Sequence, residues 1–294
     1  MTISTALAIA LAEALAIALL ASRPAGARAA LVLAVVLLPY PAFVEGPAMA
    51  RALFAVGAFW AVVRSADFAL EPAPPSPLQR FLHLFAIVDT RLVVRETRAI
   101  PHQHVLVLAV SIVVTLAAFG AIVAADAMEG ASRWLVRGFA GIVLLVAAFE
   151  VLTRGYAIGA AALGFRAPAI SDVPHRSRSI AEFWSSRWNL VVGRILKQRV
   201  FVPLAHRGAS FAVWTTFAVS AAFHAYVIGV ALGARPALAA GAFFLLQPPL
   251  LAAERALRVR RWPRAAAHVW TIGLLAALSP LFVEPVLRVV DSVR

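Results

Sequence analysis

Eight apolar runs follow one another almost without a break along 294 residues, and no other feature constrains this chain as strongly. A helix needs roughly 20 apolar residues to cross the hydrocarbon layer of a bilayer. The candidates are Ile3 to Ala21, Ala29 to Val44, Ala50 to Leu70, Val105 to Ala125, Gly138 to Thr153, Ser210 to Leu232, Pro236 to Ala253 and Ala265 to Val283. With 62% of residues hydrophobic and 14% charged, against roughly 45–50% and 25% in soluble domains, no soluble core could hide this surface. The pattern predicts an all-α fold: a polytopic transmembrane helical bundle of about eight spans, forming a single integral membrane domain over 1–294. The first run is read as a helix and not as a secretory leader, because no cation precedes it and Glu13 interrupts it.

The 27 basic residues give a net charge of +13. They sit in short loops rather than on one groove-tracking face, so membrane topology accounts for them and nucleic acid is not expected as a partner. Counted by alternate loops, 21 fall on one side and 6 on the other. The positive-inside rule then puts the first side in the cytoplasm and both termini outside. An Ala-, Val- and Arg-rich composition with Lys197 as the one lysine points to a GC-rich bacterial genome and to the inner (cell) membrane. The chain has no Cys, which removes thiol nucleophiles, Cys-based metal sites and disulfides.

Two cytoplasmic segments, 71–104 and 154–209, are longer than turns and carry aromatic residues, so each predicts helices lying on the membrane surface. The first opens on Pro72-Ala73-Pro74-Pro75-Ser76-Pro77 and continues into the amphipathic Phe81-Leu82-His83-Leu84-Phe85. Within the second, Ser179 to Leu204 reads SIAEFWSSRWNLVVGRILKQRVFVPL. On a helix at 100° per residue, Trp184, Trp188, Val191, Val192 and Ile195 share one side, and Arg187, Arg194 and Lys197 the other. Tryptophans at headgroup depth with cations toward water describe an interfacial helix. Ser179 with Glu182 three residues on has the form of a capping box. Asn189 falls at the edge of the apolar arc, where its amide could face a cavity. An anchoring helix that binds no substrate has the same pattern.

Other polar residues stand out by their depth. His224 is deep in a run otherwise free of ionisable groups, which is by default a functional position in a membrane; a neutral histidine bonded across a helix interface is the plainer reading. Arg64 with Asp67, and Glu150 with Arg154, are spaced to pair on one helix face. Glu13 lies midway along the first run, and Gln247-Pro248-Pro249 breaks the seventh. His102 and His104 beside Pro101 lack an acidic partner at ligand spacing, so no metal site is expected. No Gly-rich phosphate loop is present, which argues against an ATP-driven machine.

Two strings carry a likeness to a known family. Ser179-Ile180-Ala181-Glu182-Phe183-Trp184-Ser185-Ser186-Arg187-Trp188-Asn189 is similar to the S-L-x-x-F-W-G-R-R-W-N signature of the wax synthase branch of the membrane-bound O-acyltransferases. Phe217-Ala218-Val219-Ser220-Ala221-Ala222-Phe223-His224 resembles that branch's F-x-x-S-G-x-x-H, in the same order and at about the same spacing. The chain departs from the pattern at Ser186, Ala221 and Ala225.

The resemblance implies an acyl-CoA-dependent O-acyltransferase that esterifies a hydrophobic alcohol. His224 would be the general base and Asn189 its polar partner, with Trp184, Arg187, Trp188 and Ser220 of the two strings around the substrates; by charge alone, Arg187, Arg194, Lys197 and Arg199 could contact CoA phosphates, and anchoring to anionic headgroups is the plainer role for each singly. It implies no bound cofactor: acyl-CoA is a co-substrate, and the other partners are a lipid-soluble alcohol and the membrane lipids. A different class, a small-molecule or lipid transporter using Glu13, Glu150 and His224, remains open, although no pair of matching broken helices is present. An inactive scaffold is the third alternative.

Overall fold

The computed structural model describes residues 1–96 and 102–294; Pro101, and Arg98 among the 21 basic residues counted on one side, lie outside them. In chain order the helices are α1 (Ile3–Leu20), α2 (Pro24–Leu37), α3 (Ala48–Leu70), the short α4 (Pro77–Phe85), α5 (His102–Ala125) and α6 (Gly130–Ala162). The chain then runs through three short pieces, α7 (Ile180–Glu182), α8 (Leu190–Leu196) and α9 (Val202–Leu204). It closes with α10 (Ala209–Leu232), α11 (Ala234–Leu245), α12 (Gln247–Ala256), α13 (Arg264–Leu278) and α14 (Pro280–Asp291).

The protein is an all-α integral membrane protein. Among the described residues seven spans qualify by length and hydropathy, with α11 and α12 together forming one over Ala234–Ala256; α13 and α14, bent by 51°, make an eighth if taken as one. The predicted span Gly138 to Thr153 is too short, because α6 has 33 residues and so runs for roughly 50 Å. Arg154, expected to open a loop, therefore lies inside a helix. One small antiparallel ladder, β1 (Val94–Arg95) with β2 (Phe165–Arg166), joins the segment after α4 to the end of α6.

The residues form two compact units: Met1–Arg91 with Ala222–Ala240 and Pro285–Arg294, and Leu92–Ala221 with Gly241–Glu284. In the first, α1 turns Ala6, Ala14, Ile17 and Ala18 inward while Leu7, Leu11, Leu15 and Leu19 are exposed. Ala27, Ala30 and Ala34 of α2, and Ala48, Ala52, Ala55 and Ala58 of α3, are buried at helical spacing. Small residues between helices and large apolar ones outside suit a lipid solvent, where close backbone approach drives helix association. Gly26 is the tightest point: an added Cβ would come within 2.0 Å of the Leu20 carbonyl oxygen. Gly26→Ala is expected to destabilise by about 2–3 kcal/mol through forced separation of α1 and α2, read as a lower melting temperature in nanodiscs.

Helix α4 lies within 71–104, and it turns two polar residues inward beside the buried Leu84. Ser76 caps it and Gln79 completes the capping box. Its polar Arg80 and His83 are buried while Leu78, Leu82 and Phe85 are exposed. The polar residues turn inward because they have partners. Arg80 donates to the carbonyls of Ala18, Pro74 and Pro75. Arg64 reaches from α3 to Asp67 at 3.3 Å, to His83 Nε2 at 3.4 Å and to the carbonyls of Ala86 and Val88 at 2.9 and 3.0 Å. It also lies 4.7 Å from the centroid of the Trp60 ring.

Burial, and then the Arg64 guanidinium, pushes His83 down from its ordinary 6.5 to about 4. The imidazole is therefore neutral, accepting from Arg64 at Nε2 and donating from Nδ1 to Thr90 Oγ1 at 2.7 Å. The unfolded chain takes up this proton near pH 6.5 and the folded protein does not. Stability is thus full above pH 6.5 and falls as pH drops toward 4, by up to about 3 kcal/mol. Denaturation midpoints across that window, with His83→Gln abolishing most of the slope, check this.

In the second unit α5 and α6 form a hairpin, and the Glu150–Arg154 pair is present with Arg154 Nε 2.7 Å from Glu150 Oε1. Arg154 also meets His104 Nδ1 at 3.2 Å. Among the described residues no cluster of three His, Asp or Glu has metal-holding geometry. Glu13, in the first unit, is buried with no ion pair among the described residues, and its Oε1 has no hydrogen-bond partner. The break at Gln247-Pro248-Pro249 separates α11 from α12, and Gln247 Nε2 satisfies the Phe243 carbonyl at 2.9 Å.

Candidate active site

The segment 179–204 is not the single continuous helix that its periodicity suggested. A short α7 passes into a π-turn over Phe183–Arg187, closed by Trp188 N–H donating to Phe183 O at 2.8 Å. Trp188 is extended and Asn189 is left-handed at φ 41°. Helix α8 restarts at Leu190 and runs into a second π-turn, Lys197–Phe201. The one-sided stripe from Trp184 to Ile195 therefore does not form, because the helix axis is interrupted between them. The physical reason is at Asn189: Asn tolerates the left-handed region better than most residues, and its Oδ1 caps the new helix by accepting from Val192 N–H at 3.3 Å. Isolated π-turns are frequent at functional sites.

Ties within the second unit hold this strap. Asp172 N–H donates to Arg187 O and Leu190 N–H to Ile170 O, both at 2.8 Å. Arg187 spans the same junction, with Nε 2.7 Å from Glu182 Oε1 and Nη1 3.4 Å from Asp172 Oδ2. Ser179 caps α7 as foreseen, accepting from Glu182 N–H at 2.9 Å. Glu182 accepts from the Arg178 N–H, one residue before the position a full capping box would use. The Arg178 amide and the Arg187 guanidinium hold the Glu182 carboxyl below the usual range, outweighing burial, which raises it most.

The two tryptophans of the motif face different walls. Trp188 stacks on Phe149 of α6 and on Phe183, with centroids 4.6 and 5.6 Å apart. Trp184 packs edge-on against Phe217 of α10 and Phe243 of α11, and its Nε1–H donates to Gln247 Oε1 at 3.0 Å. Seven residues beyond Gln247, on the same face of α12, the buried Glu254 accepts from the N–H groups of Ile180 and Ala181 at 2.7 and 3.2 Å. A carboxylate at a helix N-terminus satisfies donors that have no intrahelical partner. His268 of α13 adds Nδ1–H donation to Ser177 O at 3.0 Å. The sequence reading had missed Gln247, Glu254 and His268 as supports of this strap; only the proline break beside Gln247 offered a local signal.

His224 is half-buried on α10, its ring 4.8 Å from that of Phe223. Ser220 precedes it by one turn, and Phe217 and Ala221 share its stripe by helical spacing. Asn189 belongs to the second unit and His224 to the first. Arg194 and Lys197 are exposed near the end of α8.

Residues 167–246 match the model of the Membrane bound O-acyl transferase family, a stretch that contains the strap, Asn189, Ser220 and His224. The chain is 28% identical over 174 residues to the probable long-chain-alcohol O-fatty-acyltransferase 2 of Arabidopsis thaliana, covering 54% of this chain and 51% of that protein. It is 32% identical over 116 residues to number 6 of the same series, covering 35% and 34%. With number 1 the identity is 28% over 145 residues, covering 46% and 42%. The chain thus spans about half or less of the length of the curated relatives it matches.

Proposed function

We propose that this chain is a membrane-bound O-acyltransferase that moves a fatty acyl group from acyl-CoA to a lipid-soluble alcohol. The observation that carries the reading is that one family match covers both Asn189, fixed at the corner of the strap, and His224, set in an apolar span. In the proposed step a neutral His224 ring nitrogen takes the alcohol proton as the alcohol oxygen attacks the thioester carbon. The amide N–H groups of Asn189 stabilise the oxyanion that develops on the carbonyl oxygen. Collapse of that adduct breaks the C–S bond, and the proton passes from the imidazolium to the departing CoA thiolate. Histidine suits both transfers, since its ordinary pKa of about 6.5 leaves it mostly neutral at cytoplasmic pH.

The proposed orientation puts the basic loops in the cytoplasm, where acyl-CoA is dissolved, while the alcohol and the ester partition into lipid. His224→Ala is expected to lower ester formation by about a hundredfold or more with melting unchanged, as loss of a general base does. Asn189→Gly is the matching variant, because glycine keeps the left-handed corner that alanine would strain. Full activity in both variants would overturn the assignment.

A further inference from the structure

The turn between α12 and α13 and the helix ends beside it carry five arginines, Arg255, Arg258, Arg260, Arg261 and Arg264, all of them exposed. None makes an ion pair among the described residues. Two arginines nearer the motif are instead paired, Arg187 with Glu182 and Asp172, and Arg154 with Glu150. The acid that directly precedes the turn, Glu254, is already occupied by the Ile180 and Ala181 N–H groups. The turn therefore presents five uncompensated positive charges within ten residues.

It is also a fixed platform. Arg258 takes the left-handed conformation at φ 53°. Arg261 N–H donates to Arg258 O at 2.8 Å, Trp262 N–H to Val259 O at 2.9 Å, and Trp262 Nε1–H to Leu257 O at 3.1 Å. Val259 is fully buried beneath it. Backbone and indole donors thus set the directions from which the guanidinium groups leave the chain.

Its position selects the occupant. The turn is tied at both ends to the motif strap: Glu254 before it holds Ile180 and Ala181, and His268 after it holds Ser177. A surface that only met lipid headgroups would not need to be fastened to the segment leading to Trp184 and Asn189. Guanidinium groups are suited to phosphate, with paired N–H donors matching two oxygens.

We propose that the Arg255–Arg264 turn is the binding platform for the phosphates of the acyl-CoA donor, holding the nucleotide end outside the membrane while the thioester lies at the strap. This rests on the acyl-CoA reading above, and the test separates the two. Anionic lipid headgroups offer the same phosphate chemistry from another source, so the measurement is made in nanodiscs of phosphatidylcholine alone and repeated with added phosphatidylglycerol.

The experiment compares the wild type with the Arg258→Gln/Arg260→Gln/Arg261→Gln variant, using palmitoyl-CoA and palmitoyl-pantetheine, which lacks the phosphates. In neutral nanodiscs the variant is expected to raise KM for palmitoyl-CoA about tenfold or more and to leave KM for palmitoyl-pantetheine unchanged. Added salt should raise the wild-type KM for palmitoyl-CoA and have little effect on the variant. Equal KM values for palmitoyl-CoA in the two proteins would overturn the platform. So would an effect seen only when phosphatidylglycerol is present, which would assign the turn to lipid.

Titration of CoA itself, by heat of binding, is independent of turnover. If the wild type makes no ester but binds CoA, and the triple variant loses that binding, the platform stands and the transfer reading falls. If the wild type does not bind CoA, the platform falls. Arg260→Glu alone, at an exposed position, is the second variant should the triple one melt early; it should weaken CoA binding in the same direction, and unchanged binding would count against the platform.

Discussion

Glu254→Ala is expected to unfasten the motif strap from α12 and to give the largest loss of stability of any single change in the second unit. The substitution removes a buried carboxylate that accepts from Ile180 N–H at 2.7 Å and Ala181 N–H at 3.2 Å. One buried backbone donor, at Ile180, and one half-buried donor, at Ala181, then lose the carboxylate that accepts from them. Loss of one side of such a charge-assisted pair costs roughly 3–5 kcal/mol. Hydrogen exchange at the Ile180 and Ala181 amides should accelerate strongly, and ester formation should fall with it. Glu254→Gln is expected to be intermediate, since an amide oxygen still accepts while its nitrogen has no acceptor there. Unchanged exchange at those amides would show that the strap is held by its other ties.

The second large effect is expected at Arg64. Its side chain is 1% exposed and serves Asp67, His83 and the carbonyls of Ala86 and Val88. Arg64→Met keeps the volume but takes the cation from beside the buried Asp67 carboxylate and removes the Arg64 donor from the buried Val88 carbonyl, for a loss of roughly 3–5 kcal/mol. The connection after α4 should loosen, so trypsin should cut faster at Arg91 in the folded protein. The variant should also narrow the acid-sensitive window, because His83 is held low partly by this guanidinium. Pairing it with Asp67→Leu is expected to recover part of the loss, as removal of both members of a buried pair does.

The sequence was legible where the physics is local. Apolar runs gave the spans, and spacings of three and four residues gave Arg64 with Asp67 and Glu150 with Arg154, both of which pair. The motif string lies within residues 167–246, which the family match covers. Periodicity failed inside that segment because a π-turn over Phe183–Arg187 and the extended Trp188 set Trp184 and Trp188 against different walls, and the left-handed Asn189 then restarts the helix on a new axis. Nothing local in the sequence pairs Ile180 with Glu254, 74 residues away, or Trp184 with Gln247, 63 residues away. The inward turn of two polar residues of α4 was hidden for the same reason, since the partners that draw Arg80 and His83 inward lie on α1, on α3 and in the loops at either end of α4.

The most direct measurement is mass spectrometry of the products formed by purified protein in nanodiscs given isotopically labelled palmitoyl-CoA and a long-chain alcohol. The account predicts labelled ester accumulating with an equal amount of free CoA, and neither product above background with His224→Ala. Free CoA and fatty acid without ester, or ester formed equally by His224→Ala, would contradict it.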